Sequence, residues 1–130
     1  KQGRVYANAT TDICVAFPSG PLSVGDQLIQ DTTTIETDYG ELPILIVADV
    51  VKDRLAAYFH WGDRQSLTQA LTVMRVHTIS PPELKVFCDS EGKPEQFEVL
   101  EKLWRQIQEN KLSTMEEVEA LIVEETVTSL

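Results

Sequence analysis

A chain of 130 residues, 42% hydrophobic and 25% charged, has the size and composition of one globular domain, not of a disordered, collagen-like or disulfide-stapled protein. Its formal net charge of −10 disfavours direct binding to nucleic acid or to an anionic membrane surface, whose phosphates carry the same sign. We therefore expect a single domain over residues 1–130 that binds neither directly.

The first 62 residues are predicted to be rich in strands. Residues 4–7 and 12–17 alternate between apolar and small or polar positions, which is typical of strands that pair as a hairpin. A turn is predicted at residues 18–21, and the Thr- and Ile-rich residues 27–37 favour another strand. The near-continuous apolar run 43–48 predicts a central strand, and the aromatic run 55–61 predicts a further strand, with helix as the alternative.

The apolar period changes after Gly62. Ser66 and Gln69 fit a capping box, and apolar side chains at 67, 70, 71 and 74 predict a helix over residues 66–77. Pro81 and Pro82 are expected to stop it. The spacing in the last third predicts a helical hairpin, with helices at 94–109 and 113–127, the second opened by a capping box at Ser113.

These elements predict an α+β domain. Its amino-terminal part is expected to be a mostly antiparallel sheet of about four to six strands that could curl, covered by the helix at 66–77. The helical hairpin is expected to flank the sheet.

The last predicted helix has an apolar stripe and an acidic surface. Residues 89–130 contain eleven acidic and four basic residues, and glutamates near the end of the helix oppose its dipole. The helix therefore needs its stripe covered, either by the parent domain or by a partner chain. The candidate partner-binding residues are Met115, Val118, Leu121, Ile122, Glu117 and Glu124.

A second candidate site lies where the strand-rich part meets the first helix. His60 and Asp63 could act as acid and base, with Trp61 as a stacking wall and Arg64 beside them. One histidine and one carboxylate without a third converging group rarely form a catalytic site. The simpler interpretation is that Trp61 packs in the core and that Asp63 is a solvated turn residue.

No motif for metal, phosphate or nucleophilic chemistry is present, so we expect neither metal nor cofactor. Cys14 and Cys88 show no secreted framework pattern, and each is predicted to be a small buried hydrophobic residue. Residues 1–4 are not followed by the apolar stretch of a signal peptide. We therefore expect a cytoplasmic protein.

The sequence thus favours a non-catalytic protein–protein interaction or regulatory module. We expect it to associate with a protein partner or with itself as a homo-oligomer, through the acidic C-terminal hairpin. Two alternatives stay open: a small enzyme with a pocket around His60 to Arg64, and an acidic inhibitor that mimics nucleic acid.

Overall fold

The computed structural model describes residues 4–17 and 19–129, so the predictions that rest on residues 1–3 and Pro18 lie outside the described residues. The described part begins with strands and ends with helices. The strands are β1 (Arg4–Asn8), β2 (Thr11–Phe17), β3 (Ser23–Val24), β4 (Gln27–Leu28), β5 (Thr32–Thr37) and β6 (Gly40–Leu45). The helices are α1 (Val47–Trp61), α2 (Arg64–Val76), α3 (Pro81–Ser90), α4 (Glu95–Glu109) and α5 (Met115–Thr128).

The predicted α+β class, the antiparallel pairing and the C-terminal helical hairpin are confirmed. The strands form three separate two-stranded sheets, β1–β2, β3–β4 and β5–β6, and these do not close into a barrel. Helix α2, which was expected to cover a sheet, packs instead on α1, α4 and α5. No helix within the described ranges has the length and apolar character needed to cross a membrane.

The strand predicted at 43–48 is present only as far as residue 45, in the exposed β6, and its predicted central position is wrong. The strand predicted at 55–61 is wrong, and the helix that the sequence left as its alternative is present. Strand β6 ends at Leu45, and α1 begins at Val47 and continues to Trp61. Val51 and Leu55, four residues apart, are both fully buried on one face of α1, and burial of this helical face outweighs the strand preference of the aromatic residues. A continuous apolar run does not by itself distinguish a buried strand from a helix.

The helix predicted at 66–77 is confirmed as α2, but its cap differs. Asp63, and not Ser66, is the N-cap residue, and its carboxylate accepts hydrogen bonds from the backbone N–H groups of Gln65 and Ser66. The following helix, α3, was not predicted. Its prolines occupy the first two helical positions, where no intrahelical N–H partner is required, so Pro81 starts a helix there.

The C-terminal hairpin differs from the prediction only in local detail. Thr114, one residue after the predicted position, forms the capping box with Glu117. Lys102 pairs with Glu125 across the hairpin. Glu125 also accepts a hydrogen bond of 2.8 Å from Gln106, so α4 donates to a carboxylate that the dipole of α5 would disfavour.

One hydrophobic core joins the five helices. The loop hairpin β3–β4 adds a single side chain to it, Val24, which is 4% exposed and lies against α1. The buried apolar residues are Val24, Val51, Leu55, Leu67, Ala70, Leu71, Met74, Leu84, Phe87, Cys88, Leu100, Leu103, Ile107, Val118, Leu121 and Ile122.

Replacing Phe87 tests whether α3 belongs to this core. Phe87 is 1% exposed and its ring stacks on Phe59 at a centroid distance of 6.3 Å. We expect Phe87→Ala to lower the free energy of unfolding by about 3–5 kcal/mol through lost burial and a residual cavity. The neighbouring Val86 is 62% exposed, and Val86→Ala should change it by less than about 0.5 kcal/mol in the same denaturant titration. If Phe87→Ala and Val86→Ala lowered the free energy of unfolding equally, the packing of α3 on the core through Phe87 would be contradicted.

Candidate functional site

The segment from His60 to Arg64 forms the corner between α1 and α2. Gly62, in the left-handed conformation with φ of 66°, ends α1 by donating its N–H to the Tyr58 carbonyl. Asp63 then begins α2, and its second carboxylate oxygen accepts a 2.8 Å hydrogen bond from the Ser66 hydroxyl. These hydrogen bonds, from the Ser66 side chain first, hold the pKa of Asp63 below its ordinary value. The Asp63 carboxylate is therefore engaged in capping α2.

His60 pairs with a residue that the sequence did not indicate. Its Nε2 lies 2.6 Å from Oε2 of Glu91, a carboxylate at the end of α3 whose side chain is only 3% exposed. The other oxygen of Glu91 is buried and has no hydrogen-bond partner. It lies against Gly25, where an added Cβ atom would stand 1.9 Å from it. Glu91 thus joins α1, α3 and the β3–β4 turn.

The structure does not bring the four predicted pocket residues to one point. His60 turns to Glu91, Asp63 caps α2, Arg64 is exposed in the first turn of α2, and Trp61 is 84% exposed instead of packed in the core. A cavity of about 180 Å³ lies beside the corner, and Gly62 is the only one of these five consecutive residues that lines it. Acid–base chemistry by His60 with Asp63 has no geometric basis here.

The apolar stripe of α5 is covered by the chain itself. Val118, Leu121 and Ile122 are buried in the common core, and Met115 is 39% exposed at the start of the helix. Glu117 accepts hydrogen bonds from the backbone N–H groups of residues 113 and 114, Ser113 first, and these bonds lower its pKa. The sequence left two possible covers for this stripe, the parent domain and a partner chain. In the structure the parent domain covers it.

Glu124 is exposed on the outer surface of α5. Glu117 is also exposed, but its carboxylate is engaged in the capping box, so Met115 and Glu124 are the candidate partner-binding residues that remain available at the surface. They are nine residues apart on a helix and do not form a continuous apolar surface.

Exposed apolar side chains are concentrated instead on β1–β2. Every residue of both strands is exposed. The register pairs Tyr6 with Val15 and Arg4 with Phe17, so Tyr6, Val15 and Phe17 share one face, on which the Tyr6 and Phe17 rings meet edge to face at 5.6 Å. The opposite face carries small apolar side chains, namely Val5, Ala7, Cys14 and Ala16.

The β5–β6 hairpin has one apolar and one polar face. Ile35 pairs with Leu42, and Ile44 lies on the same face, all at least 36% exposed. On the other face Glu36 lies directly opposite Glu41, and like charges in this position repel each other. Residues 32–45 contain three acidic and no basic residues, whereas residues 4–17 contain one of each.

The cysteines differ from each other in environment. Cys88 is buried as predicted, and burial raises the pKa of its thiol to about 11, which makes it unreactive. Cys14 is exposed on β2, so the prediction that it is buried is wrong. A strand has two faces, and only the packing of the whole molecule decides whether either is covered. Both thiols are free.

Among residues 4–17 and 19–129, no cluster of three or more His, Cys, Asp or Glu side chains is placed to hold a metal ion. Comparisons with protein-family models, with curated proteins and with solved structures gave no match for this chain.

Gly25 tests the contact that places β3–β4 on Glu91. Its φ is 55°, and an alanine Cβ there would collide with the buried carboxylate. We expect Gly25→Ala to lower the free energy of unfolding by about 2 kcal/mol, since a left-handed non-glycine residue costs about 1–2 kcal/mol before the collision is counted. Gly20→Ala meets no atom within 4 Å and should change it by less than about 0.5 kcal/mol. Similar urea midpoints for the two variants would exclude this contact.

The carboxylates of Asp63 and Glu117 predict a loss of stability in acid. Their pKa values are lowered in the folded chain, so their contribution is complete above the ordinary carboxyl pKa of about 4 and disappears as the pH falls through the folded value. We expect Asp63→Asn and Glu117→Gln each to reduce the fall in the thermal midpoint between pH 7 and pH 3. Glu119→Gln, on the exposed surface of α5, should leave that fall unchanged; a reduction as large as that in the other two would contradict the assignment.

Proposed function

We propose that this protein is a non-catalytic protein–protein interaction module that self-associates through the β1–β2 hairpin. The observation that carries the proposal is the exposure of apolar side chains on both faces of that hairpin, with Ile13 69% and Val5 64% exposed. Scattered exposed apolar residues are ordinary, but a contiguous set of them marks an interaction surface. A strand pair that is apolar on both faces has the composition of the interior of a larger sheet.

The backbone of the hairpin supports the same proposal. Within residues 4–17 and 19–129, β1 and β2 pair with each other and with no third strand, so each has an outer edge of N–H and C=O groups available for a further strand. A two-stranded hairpin is marginally stable in water by itself, and pairing with a neighbour would add backbone hydrogen bonds and cover apolar side chains.

Charge favours β1–β2 over β5–β6 as the self-associating hairpin. Arg4 and Asp12 balance each other on β1–β2, so this hairpin adds no net charge to an interface between two copies. Glu36, Asp38 and Glu41 on β5–β6 would face their own copies across a two-fold axis. The outer edges of two β2 strands can pair antiparallel about such an axis, which gives a continuous four-stranded sheet.

We also propose that the protein is cytoplasmic. Cys14 is exposed and unpaired on the proposed interface, and an exposed thiol persists in a reducing compartment.

A lysine at Val15 tests the proposed interface. Val15 is 49% exposed between Tyr6 and Phe17 on one face of the hairpin, so the substitution introduces a charge without disturbing the helical core. We expect the unmodified chain to be a dimer by light scattering coupled to size-exclusion chromatography. Val15→Lys should raise its dissociation constant by about tenfold or more, because a charge replaces an apolar side chain beside the pairing edge and the two ammonium groups repel each other across the two-fold axis. Ile35→Lys places the same change on β5–β6 and should leave the dimer intact.

Cys14 provides a second measurement of the same interface. Modification of its thiol by a disulfide reagent should slow as the protein concentration rises through the dissociation constant, and should not slow in Val15→Lys. Cys14→Ser serves as the control that assigns the reaction to this thiol. A chain that is monomeric at all concentrations, with a constant rate of Cys14 modification, would rule out self-association through β1–β2.

A further inference from the structure

A groove of about 520 Å³ lies between the end of α2 and the outer surface of α4. Its volume is within the range of small-molecule sites, which is roughly 300–1,000 Å³. Met74 and Trp104 supply apolar surface to it, and the Trp104 indole is held in place because its Nε1 donates to the Met74 carbonyl at 3.4 Å. This groove is remote in sequence from the β1–β2 hairpin and is not used by the proposed function.

Four charged side chains line the groove, two of each sign. Arg75 extends from the last turn of α2, and Glu101, Arg105 and Glu109 follow at intervals of four residues along α4. None of the four forms an ion pair within 4 Å in the described part of the chain, although Glu101 and Arg105 have the spacing of a helical pair.

Arg75 is the group with the clearest unmet requirement. The residue is partly buried, and its Nε is buried without a hydrogen-bond partner. A buried donor attached to a charge is costly when it is left unsatisfied, and a planar guanidinium is suited to a carboxylate. An oxyanion in the groove would supply the opposite charge that the Arg75 guanidinium lacks in the described part of the chain.

The two glutamates restrict which anion fits. Glu101 and Glu109 would repel a ligand that carried only negative charge, just as Arg75 and Arg105 would repel a ligand that carried only positive charge. A molecule with one group of each sign can pair with residues of both signs and leaves the net charge of the groove unchanged. The surface of Met74 and Trp104 suits an apolar side chain beside the two charged groups.

We infer that this groove binds a small zwitterion of the α-amino-acid class. The carboxylate of the ligand contacts Arg75 and Arg105, its ammonium group contacts Glu101, and its apolar side chain lies on Trp104 and Met74.

Isothermal titration calorimetry with three related probes tests the inference. L-Phenylalanine carries both charges, L-phenylalaninamide lacks the carboxylate, and N-acetyl-L-phenylalanine lacks the ammonium group. We expect L-phenylalanine to bind with a dissociation constant of about 1 mM or below, and each of the other two to bind about tenfold more weakly, since each loses one charge-assisted contact. Absence of binding by L-phenylalanine, or equal affinity for all three probes, would overturn the inference.

Charge variants assign each half of the ligand to its partner. Arg75→Gln and Arg105→Gln should each weaken L-phenylalanine binding about tenfold and barely change binding of the amide, whereas Glu101→Gln should weaken the amide and barely change the N-acetyl compound. Lys85→Gln, which removes a positive charge from α3 outside the groove, should bind all three probes as the unmodified chain does. Arg105 is exposed, so Arg105→Gln decides the question if Arg75→Gln unfolds. Unchanged affinities in Arg105→Gln and Glu101→Gln would overturn the inference.

Discussion

The packing of α1 on α2 is the interaction on which the rest of the structure depends. Val51 and Leu55 from α1 are fully buried, and they share the core with Leu67 and Leu71 from α2. Helices α4 and α5 contact α2, and α3 contacts α4, so every helix reaches this core directly or through one neighbour. Burial of these side chains supplies the main driving force for folding, and it is concentrated after residue 46.

This distribution leaves the strands with little of the core. Among the residues that the structure describes, fifteen of the sixteen buried apolar residues lie on helices, and Val24 is the exception. The β3–β4 turn has Val24 and the Gly25 contact with Glu91 to hold it against the helices, whereas β1–β2 and β5–β6 have exposed strands. Their apolar side chains therefore stay outside the helical core and, except for Leu45, keep at least 36% of their surface exposed, which is why the proposed function is assigned to β1–β2.

The sequence was sufficient where one local pattern decided the structure. The apolar period of α2, α4 and α5 identified those helices, and the alternation in residues 4–17 identified the first hairpin. It was insufficient for α1, because the apolar run beside Leu45 has no period that distinguishes helix from strand. The observed N-cap residues differ from the predicted ones by one position at Thr114 and by three positions at Asp63, because several nearby polar residues can each act as an N-cap.

Much of the candidate site depends on contacts distant in sequence. His60 and Glu91 are separated by 31 residues, and the position of Glu91 before a glycine gave no sign that its carboxylate is buried. The stripe on α5 was correctly expected to need a cover, but the identity of that cover is a property of the whole fold. The groove between α2 and α4 could likewise not be predicted, because the sequence does not show how these two helices pack against each other.

The separation of the outer hairpins from the core also has a consequence for hydrogen exchange. The ladder bonds of β1–β2 and of β5–β6 join only the two strands of each hairpin, so opening a hairpin breaks no hydrogen bond in the helices. Amide protons in these strands exchange through local opening, while those around Leu55 require disruption of the helical core. The chain therefore has two levels of resistance to exchange, and their boundary lies near Ile46, where β6 gives way to α1.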